Sequence, residues 1–272
     1  MNILIIYNPE SSSGYEVSQK VTEILKSDGV NISVQEFCKS KEPEICNNTD
    51  IIIVIGGDGT IIKVAKSSAK LDCPILGINA GHLGYLASVD QNDLSAVKRI
   101  LTNDYSIEKR CMIRAEKYKN GVLTESCDCL NDAVISKDTL SNVIEIKLNI
   151  GNDTIEYRAD GIIAATPTGS TAYSLSAGGP IVDPKMKCVI LTPVCPHTLV
   201  TRSMVVDGNT PVSISVKGLT DKSINLLCDG RVGLLLDEDS TVNISISDTT
   251  ANFIKLNDVS VYKILSVKTD SY

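Results

Sequence analysis

The sequence has no run of about 20 apolar residues, the length that a bilayer-spanning helix needs. Its first apolar stretch is confined to Ile3–Tyr7 and no basic segment precedes it, so no secretory signal is expected. A Lys/Arg cluster is also missing, and 26 Lys+Arg against 33 Asp+Glu give a formal net charge of -7. Nucleic-acid and membrane partners are therefore disfavoured, although a local site of opposite sign can still hold a phosphorylated small molecule. Histidine is scarce, at 2 residues, and the 9 cysteines contain no CxxC pair, so a structural zinc site is short of ligands. The cysteines read as reduced thiols of a cytoplasmic protein, mostly small core residues. Cys127 and Cys129 are two apart, which on a strand places them on one face. There is no low-complexity linker and no internal repeat.

What is present is an ordinary globular composition, 43% hydrophobic and 22% charged over 272 residues, enough for one large domain or two small ones. The first hundred residues alternate between two periodicities. Asn2–Tyr7 and Ile51–Ile55 are continuous apolar runs, as in strands buried on both faces. Val17, Val21, Ile24 and Leu25 recur at helical spacing before Gly29, a C-cap signal. Val30–Val34 alternates like a strand, Thr60–Ala69 reads as a helix, Pro74–Asn79 as a strand, and Leu94–Leu101 as a helical face. This rhythm implies a parallel sheet covered by helices.

Beyond about residue 105 short strand-like runs follow one another between Gly/Asn/Asp turns: Ile107–Tyr118, Val122–Cys129, Ala133–Ser136, Ile144–Ile150, Gly161–Ala165, Val189–Thr192, Val212–Val216, Asn225–Leu227, Val242–Ile246 and Ser260–Val267. One helix near Thr171–Ala177 interrupts them. The expected fold is an N-terminal parallel α/β domain over residues 1–100 and a C-terminal β-sandwich over 101–272, whose last residues can return to the first domain.

Gly56-Gly57-Asp58-Gly59-Thr60 follows a buried strand and opens a helix. Glycines let the backbone approach a ligand closely, and free N–H groups at a helix N-terminus attract anions. Asp58 is out of place beside phosphate unless it holds a metal or accepts a proton from an attacking hydroxyl. The competing reading is a plain tight turn with an Asp cap, and the segment fits neither GxxxxGK[ST] nor GxGxxG. GGDGT at a strand end resembles a kinase superfamily that includes NAD kinases, diacylglycerol and sphingosine kinases, and phosphofructokinases.

The second motif is Asp160–Pro180, where Thr166, Thr168, Ser170 and Thr171 crowd around Pro167 and Gly169. Ser170 or Thr171 is a candidate N-cap, and Tyr173 offers a stacking face. Read alone, this is either a hydroxyl-lined ligand loop or a Ser/Thr-rich turn. The stretch Thr166–Pro180 resembles the signature of the NAD kinases. Asn79–Leu86, Asn131-Asp132, Thr192–Leu199 and Cys228–Arg231 resemble further family segments in the same order.

The resemblance implies phosphorylation of the 2′-hydroxyl of the adenosine ribose of NAD, with ATP or polyphosphate and a divalent cation (Mg2+ or Mn2+). It implies that Asp58 activates the hydroxyl and that Gly56, Gly57, Gly59 and Thr60 bind donor phosphates. Asn131 and Asp132 would hold adenosine, and Thr168, Thr171, Ala172 and Tyr173 would line the NAD pocket. Asp160 would reach the nicotinamide end across a subunit interface of a homodimer or homotetramer, with Tyr85 and Asp229 as nearby contacts. Asp132 stands where the family has Glu, and Arg231 where it has Gln. His197 reads as a loop-fixing residue rather than a base, and His82 as a residue near phosphate. A lipid kinase sharing GGDGT and a non-catalytic NAD-binding sensor are the rival functions.

Overall fold

A strand made only of Ile, Leu and Val has no face to offer water, so it belongs inside a sheet covered on both sides. The computed structural model describes residues 1–81, 84–137, 143–198, 201–217, 224–237, 239–257 and 260–269. It divides into one unit of residues 1–110 and 249–272 and a second of residues 111–248.

The first unit contains β1 (Asn2–Tyr7), α1 (Gly14–Leu25), β2 (Asn31–Glu36), β3 (Ile51–Ile55), α2 (Asp58–Ala69), β4 (Ile75–Asn79) and β5 (Val89–Asp90). A 3-10 helix over Leu94–Thr102 follows. The strands run parallel in the order β2-β1-β3-β4, and every residue of β3 and β4 is buried. Val17, Val21 and Leu25 of α1 and Leu94, Val97 and Ile100 of the 3-10 helix pack into the same core. Because β1 lies between β2 and β3, the strand order reverses between β1 and β3. In open parallel sheets such a switch point, at the carboxyl ends of the strands, is where ligands settle.

The chain passes along β6 (Ser106–Lys119) into the second unit, which contains β7 (Val122–Cys129), β8 (Asp132–Lys137), β9 (Ile144–Ile150), β10 (Asp153–Ala159) and β11 (Gly161–Ala165). After a 3-10 turn at Thr168–Thr171 and α3 (Tyr173–Ser176) come β12 (Cys188–Val194), β13 (Met204–Asp207), β14 (Val212–Lys217), β15 (Ile224–Cys228) and β16 (Arg231–Leu236). One antiparallel sheet has the order β13-β12-β11-β8-β15-β16. β9, β10 and β14 form the other with β17 (Ser240–Lys255), and β6 and β7 pair with each other. Ala133, Ile135, Ile162, Leu191 and Leu226 from the first sheet share a core with Ile146, Leu148, Ile214 and Ile244 from the second, which is a sandwich. The end of β17 returns the chain to the first unit, where Phe253 pairs with Ile75 and α4 (Val261–Thr269) follows.

Several expectations are corrected. Ser260–Val267 is not a strand but lies in α4 from Val261 onward; a short apolar run fits either period, and here Ile264 is buried while Tyr262 and Lys263 are exposed. Gly29 does not cap α1, which ends at Leu25 with Lys26 as C-cap. The strands β10, β13 and β16 are not among the expected runs: β10 is exposed at five of seven positions and β13 is only 4 residues long, whereas Val232, Leu234 and Leu236 of β16 do alternate. The helix expected near Thr171–Ala177 is split into the 3-10 turn and α3, and neither Ser170 nor Thr171 caps it; Ala172 stands at the N-cap. No helix among the described residues is long and apolar enough to cross a membrane.

Candidate functional site

The site residues fall into two constellations, one in each unit. In the first unit, β3 delivers the chain to Gly56, whose N–H donates to Ile78 O at 3.0 Å, and α2 starts at Asp58 with Gly57 as its N-cap. The N–H groups of Thr60 and Ile61 both donate to Gly57 O. Those of Gly57, Asp58 and Gly59 have no partner among the described residues, which leaves three donors at the helix N-terminus.

Asp58 is not a cap. Its half-buried carboxylate accepts the N–H of Tyr85 at 2.9 Å on Oδ2 and the N–H of Leu86 at 3.2 Å on Oδ1. Two backbone donors thus fix both oxygens, and each oxygen keeps a further lone pair for a ligand. Gly84 makes this approach feasible: a Cβ there would stand 2.2 Å from Asp58 Oδ1. Tyr85 enters the site through its backbone.

The loop after β1 reaches the same end of the sheet. Asn8 N donates to Ile55 O at 2.9 Å, and Ser11 Oγ donates to Ala80 O at 2.7 Å. Gly84 was read only as part of the Asn79–Leu86 segment, and the Asn8–Ser13 loop was not singled out by sequence reasoning. The signal was there in Asn-Pro-Glu-Ser-Ser-Ser-Gly at the end of an apolar strand. Lys63, five residues past Asp58, donates from Nζ to the carbonyls of Cys38 and Lys39, with the Cys38 bond at 2.8 Å. His82 lies outside the described residues.

In the second unit the organising group is Asp229. Cys228 and Arg231 pair across a two-residue turn, in which Asp229 has φ +50° and Gly230 φ +72°, the left-handed conformations of a tight hairpin. The Asp229 carboxylate accepts three backbone N–H groups: Asn131 at 2.7 Å, Leu130 at 3.1 Å and Asp132 at 3.2 Å. Its own N–H donates to Asp132 O at 2.9 Å. Thr166 closes the other side, with N donating to Asn131 O at 2.8 Å and Oγ1 to Leu130 O at 2.5 Å, while Gly169 N donates back to Oγ1 at 3.0 Å. A Cβ on Gly169 would lie 2.1 Å from Asn131 O. The Asn131-Asp132 corner is therefore held by the Asp229 turn and by the Thr166–Gly169 loop. Thr166 is a keystone that sequence reasoning named among the loop hydroxyls but not among the site residues.

Asp132 is 5% exposed, and its carboxylate has no hydrogen-bond partner among the described residues. Burial first, and the charge of Asp229 second, push its pKa up to about 7. Thr168 is buried, Thr171 and Ala172 are half-buried, and Tyr173 is exposed. Asp160 stands apart from this group: β11 separates it from Thr166 by roughly 20 Å at strand rise. It forms an ion pair with Lys137 at 2.7 Å. His197 N donates to Arg158 O at 2.9 Å.

The one group of metal-ligating side chains found among the described residues is Cys127, Cys129 and Cys228. Cys127 and Cys228 are joined by a disulfide, which corrects the expectation that all cysteines are reduced thiols.

The chain resembles known proteins over most of its length. Residues 39–105 match the ATP-NAD kinase N-terminal domain, and residues 130–256 match the ATP-NAD kinase C-terminal domain. The NAD kinase of Trichlorobacter lovleyi is 38% identical over 229 residues, covering 84% of this chain and 80% of that one. The fold matches the crystal structure of an NAD kinase from Archaeoglobus fulgidus in complex with ATP, with TM-score 0.78 at 24% identity over 100% of both chains. It also matches the yeast NADH kinase complexed with NADH, with TM-score 0.83 at 22% identity over 99% of this chain and 88% of that one. The fold and these matches define a phosphotransferase with an alcohol acceptor. The chain belongs to the NAD kinase family. Its reaction is transfer of a phosphoryl group from ATP to the 2′-hydroxyl of the adenosine ribose of NAD, giving NADP.

Proposed function

We propose that Asp58 is the group that takes the proton from the ribose 2′-hydroxyl. The observation that carries this is its carboxylate, oriented by the Tyr85 and Leu86 N–H groups beside the open N-terminus of α2. Phosphoryl transfer needs little covalent chemistry from a protein, so positioning and charge stabilisation dominate. Gly57 and Gly59 supply backbone donors to the ATP phosphates, while Gly56 and Thr60, whose N–H groups are engaged by Ile78 O and Gly57 O, shape the turn. The proton moves to Asp58 late, because the hydroxyl becomes acidic enough for a carboxylate to accept its proton only once its oxygen has begun to bond to phosphorus.

In the second unit Asn131 and Asp132 hold the adenosine, and Thr168, Thr171, Ala172 and Tyr173 line the NAD pocket beside them. Asp132 is one methylene shorter than the family's Glu, so its ribose contact is lost or runs through a bridging water. Asp160 is too distant along β11 to serve the same adenosine. Its contact with the nicotinamide end calls for a second copy of the chain, in a homodimer or homotetramer.

A divalent cation, Mg2+ or Mn2+, neutralises charge on the ATP oxygens when bound. No cluster of three carboxylates is present among the described residues to cage it, so the cation arrives with the nucleotide and Asp58 is its candidate protein ligand. That fits Mg2+, which keeps its waters and takes one or two carboxylates besides phosphate. ATP and NAD as substrates favour a cytoplasmic setting.

The test pairs binding with product formation. NADP should form from ATP and NAD, stop on chelation of divalent cations, and resume when Mg2+ or Mn2+ is restored; polyphosphate is the alternative donor to compare. Asp58→Asn should bind NAD with a Kd within about threefold of the parent, since the residue acts on chemistry rather than on affinity. Loss of NAD binding in that variant would contradict the assigned role.

A further inference from the structure

Cys127 and Cys228 are 101 residues apart in sequence and belong to different sheets of the sandwich, Cys127 on β7 and Cys228 on β15. Their bond therefore links one sheet to the other. It also sits at a particular place in the chain. Three residues after Cys127 begins the Leu130–Asp132 corner, where the chain leaves one sheet for the other. One residue after Cys228 is Asp229, whose carboxylate receives all three N–H groups of that corner. The bond ties together the two strands that feed the corner and its clasp.

Exposure distinguishes the three neighbouring sulfurs. Cys228 is 6% exposed and Cys129 0%, whereas Cys127 is half-buried. A small oxidant meets Cys127 first. Cys129 Sγ lies 4.0 Å from Cys127 Sγ, so Cys127 has two thiol neighbours of different placement. Cross-linking two strands removes conformational freedom from whatever they hold, and a binding corner ordered in advance pays less on association.

We propose that Cys127 and Cys228 are a reversible dithiol–disulfide pair whose closure fixes the Leu130–Asp132 corner, so that the thiol state sets affinity for NAD. The proposal rests on the reading that Asn131 and Asp132 contact the adenosine of NAD. The chemistry balances with a peroxide as oxidant. The Cys127 thiolate attacks one peroxide oxygen, the O–O bond breaks, and a sulfenic acid and one water result. The Cys228 thiol then attacks the Cys127 sulfur, the S–S bond forms, and the sulfenic oxygen leaves as a second water. The two sulfurs lose two electrons, and the peroxide gains them. A small dithiol reverses the step by two exchanges, becoming a cyclic disulfide as Cys127 and Cys228 regain their protons.

The experiment uses the intact enzyme in two preparations, one treated with hydrogen peroxide and one with dithiothreitol, each freed of reagent. Thiols are blocked, the protein is digested, and cross-linked peptides are identified by mass, while KM for NAD and kcat are measured on the same samples. The expected result is a Cys127–Cys228 cross-link in the oxidised sample, with KM for NAD about three- to tenfold lower than in the reduced sample and kcat changed by less than about twofold, the pattern of pre-ordering. Cys127→Ser should abolish the response and hold KM at the reduced value. Absence of the cross-link, a Cys127–Cys129 cross-link in its place, or equal KM in the two states overturns the proposal. Asp132→Ala, assayed alongside, separates the two layers. A raised KM there with equal KM in the redox states sinks only the thiol proposal, whereas an unchanged KM sinks the adenosine assignment beneath it.

Discussion

A carboxylic acid that is almost wholly buried beside a second carboxylate keeps its proton longer than one in water. Asp132 is such a group, raised from 3.8 to about 7 by burial and by Asp229. Between those two values the folded chain holds a proton that the unfolded chain has released. Its contribution to stability is therefore complete below about pH 4 and is lost as pH rises through 7. Asp132→Asn, which keeps the shape and never ionises, should melt on the order of 2–4 °C above the parent at pH 8, with the margin closing toward pH 4. Equal margins at the two pH values, read by calorimetry, would contradict the buried-acid account. Gly84 gives a second prediction at this scale, because a methyl there would stand 2.2 Å from the Asp58 carboxylate. Gly84→Ala should lower kcat by about a hundredfold, the usual consequence of misplacing a reacting group by an ångström, while Tm falls by only a few degrees. Neither effect was legible in the sequence. Asp132 could be named as a contact, but its burial could not be seen, and Gly84 gave no sign that a carboxylate lay against it.

At the scale of elements, what could be read was what depends on neighbours in sequence. The buried runs β1, β3 and β4 announce a parallel sheet, and Gly56–Thr60 announces the turn after β3, because apolar continuity and glycine spacing are local properties. What could not be read was what depends on distant partners. The N–H groups that donate to Asp58 are 27 and 28 residues away, and those that Asp229 collects are 97 to 99 residues away. The Asp229 clasp is the element-scale prediction. Asp229→Ala leaves three N–H groups of the corner without their charged acceptor, and should cost about 2–4 kcal/mol in denaturant unfolding and raise KM for NAD more than it changes kcat. Asp229→Asn, which keeps one acceptor oxygen, should fall between. Identical unfolding curves for the parent and the alanine variant would show that the clasp carries no load.

At the scale of the molecule, the chain leaves its first unit along β6 and comes back along β17. The return is anchored within the first unit: Ser88 Oγ donates to Ile254 O at 2.9 Å, Asn252 Nδ2 to Asp72 Oδ1 at 2.7 Å, and Phe253 pairs with Ile75. A sequence shows β17 as an apolar strand but not which unit receives its end. A chain stopped at residue 248 should accordingly lose hydrogen-exchange protection over β3 and β4 while the sandwich strands keep theirs. Protection unchanged over β4 would contradict the anchoring. The same division puts the weight of the functional account on one side chain of the first unit, and the most direct measurement is a single-turnover rate of phosphoryl transfer for Asp58→Asn, with ATP, Mg2+ and NAD saturating. If Asp58 takes the 2′-hydroxyl proton, that rate falls by about 10²–10⁴, the range general-base catalysis supplies, with NAD still bound. A rate equal to the parent's would show that the proton leaves by another route.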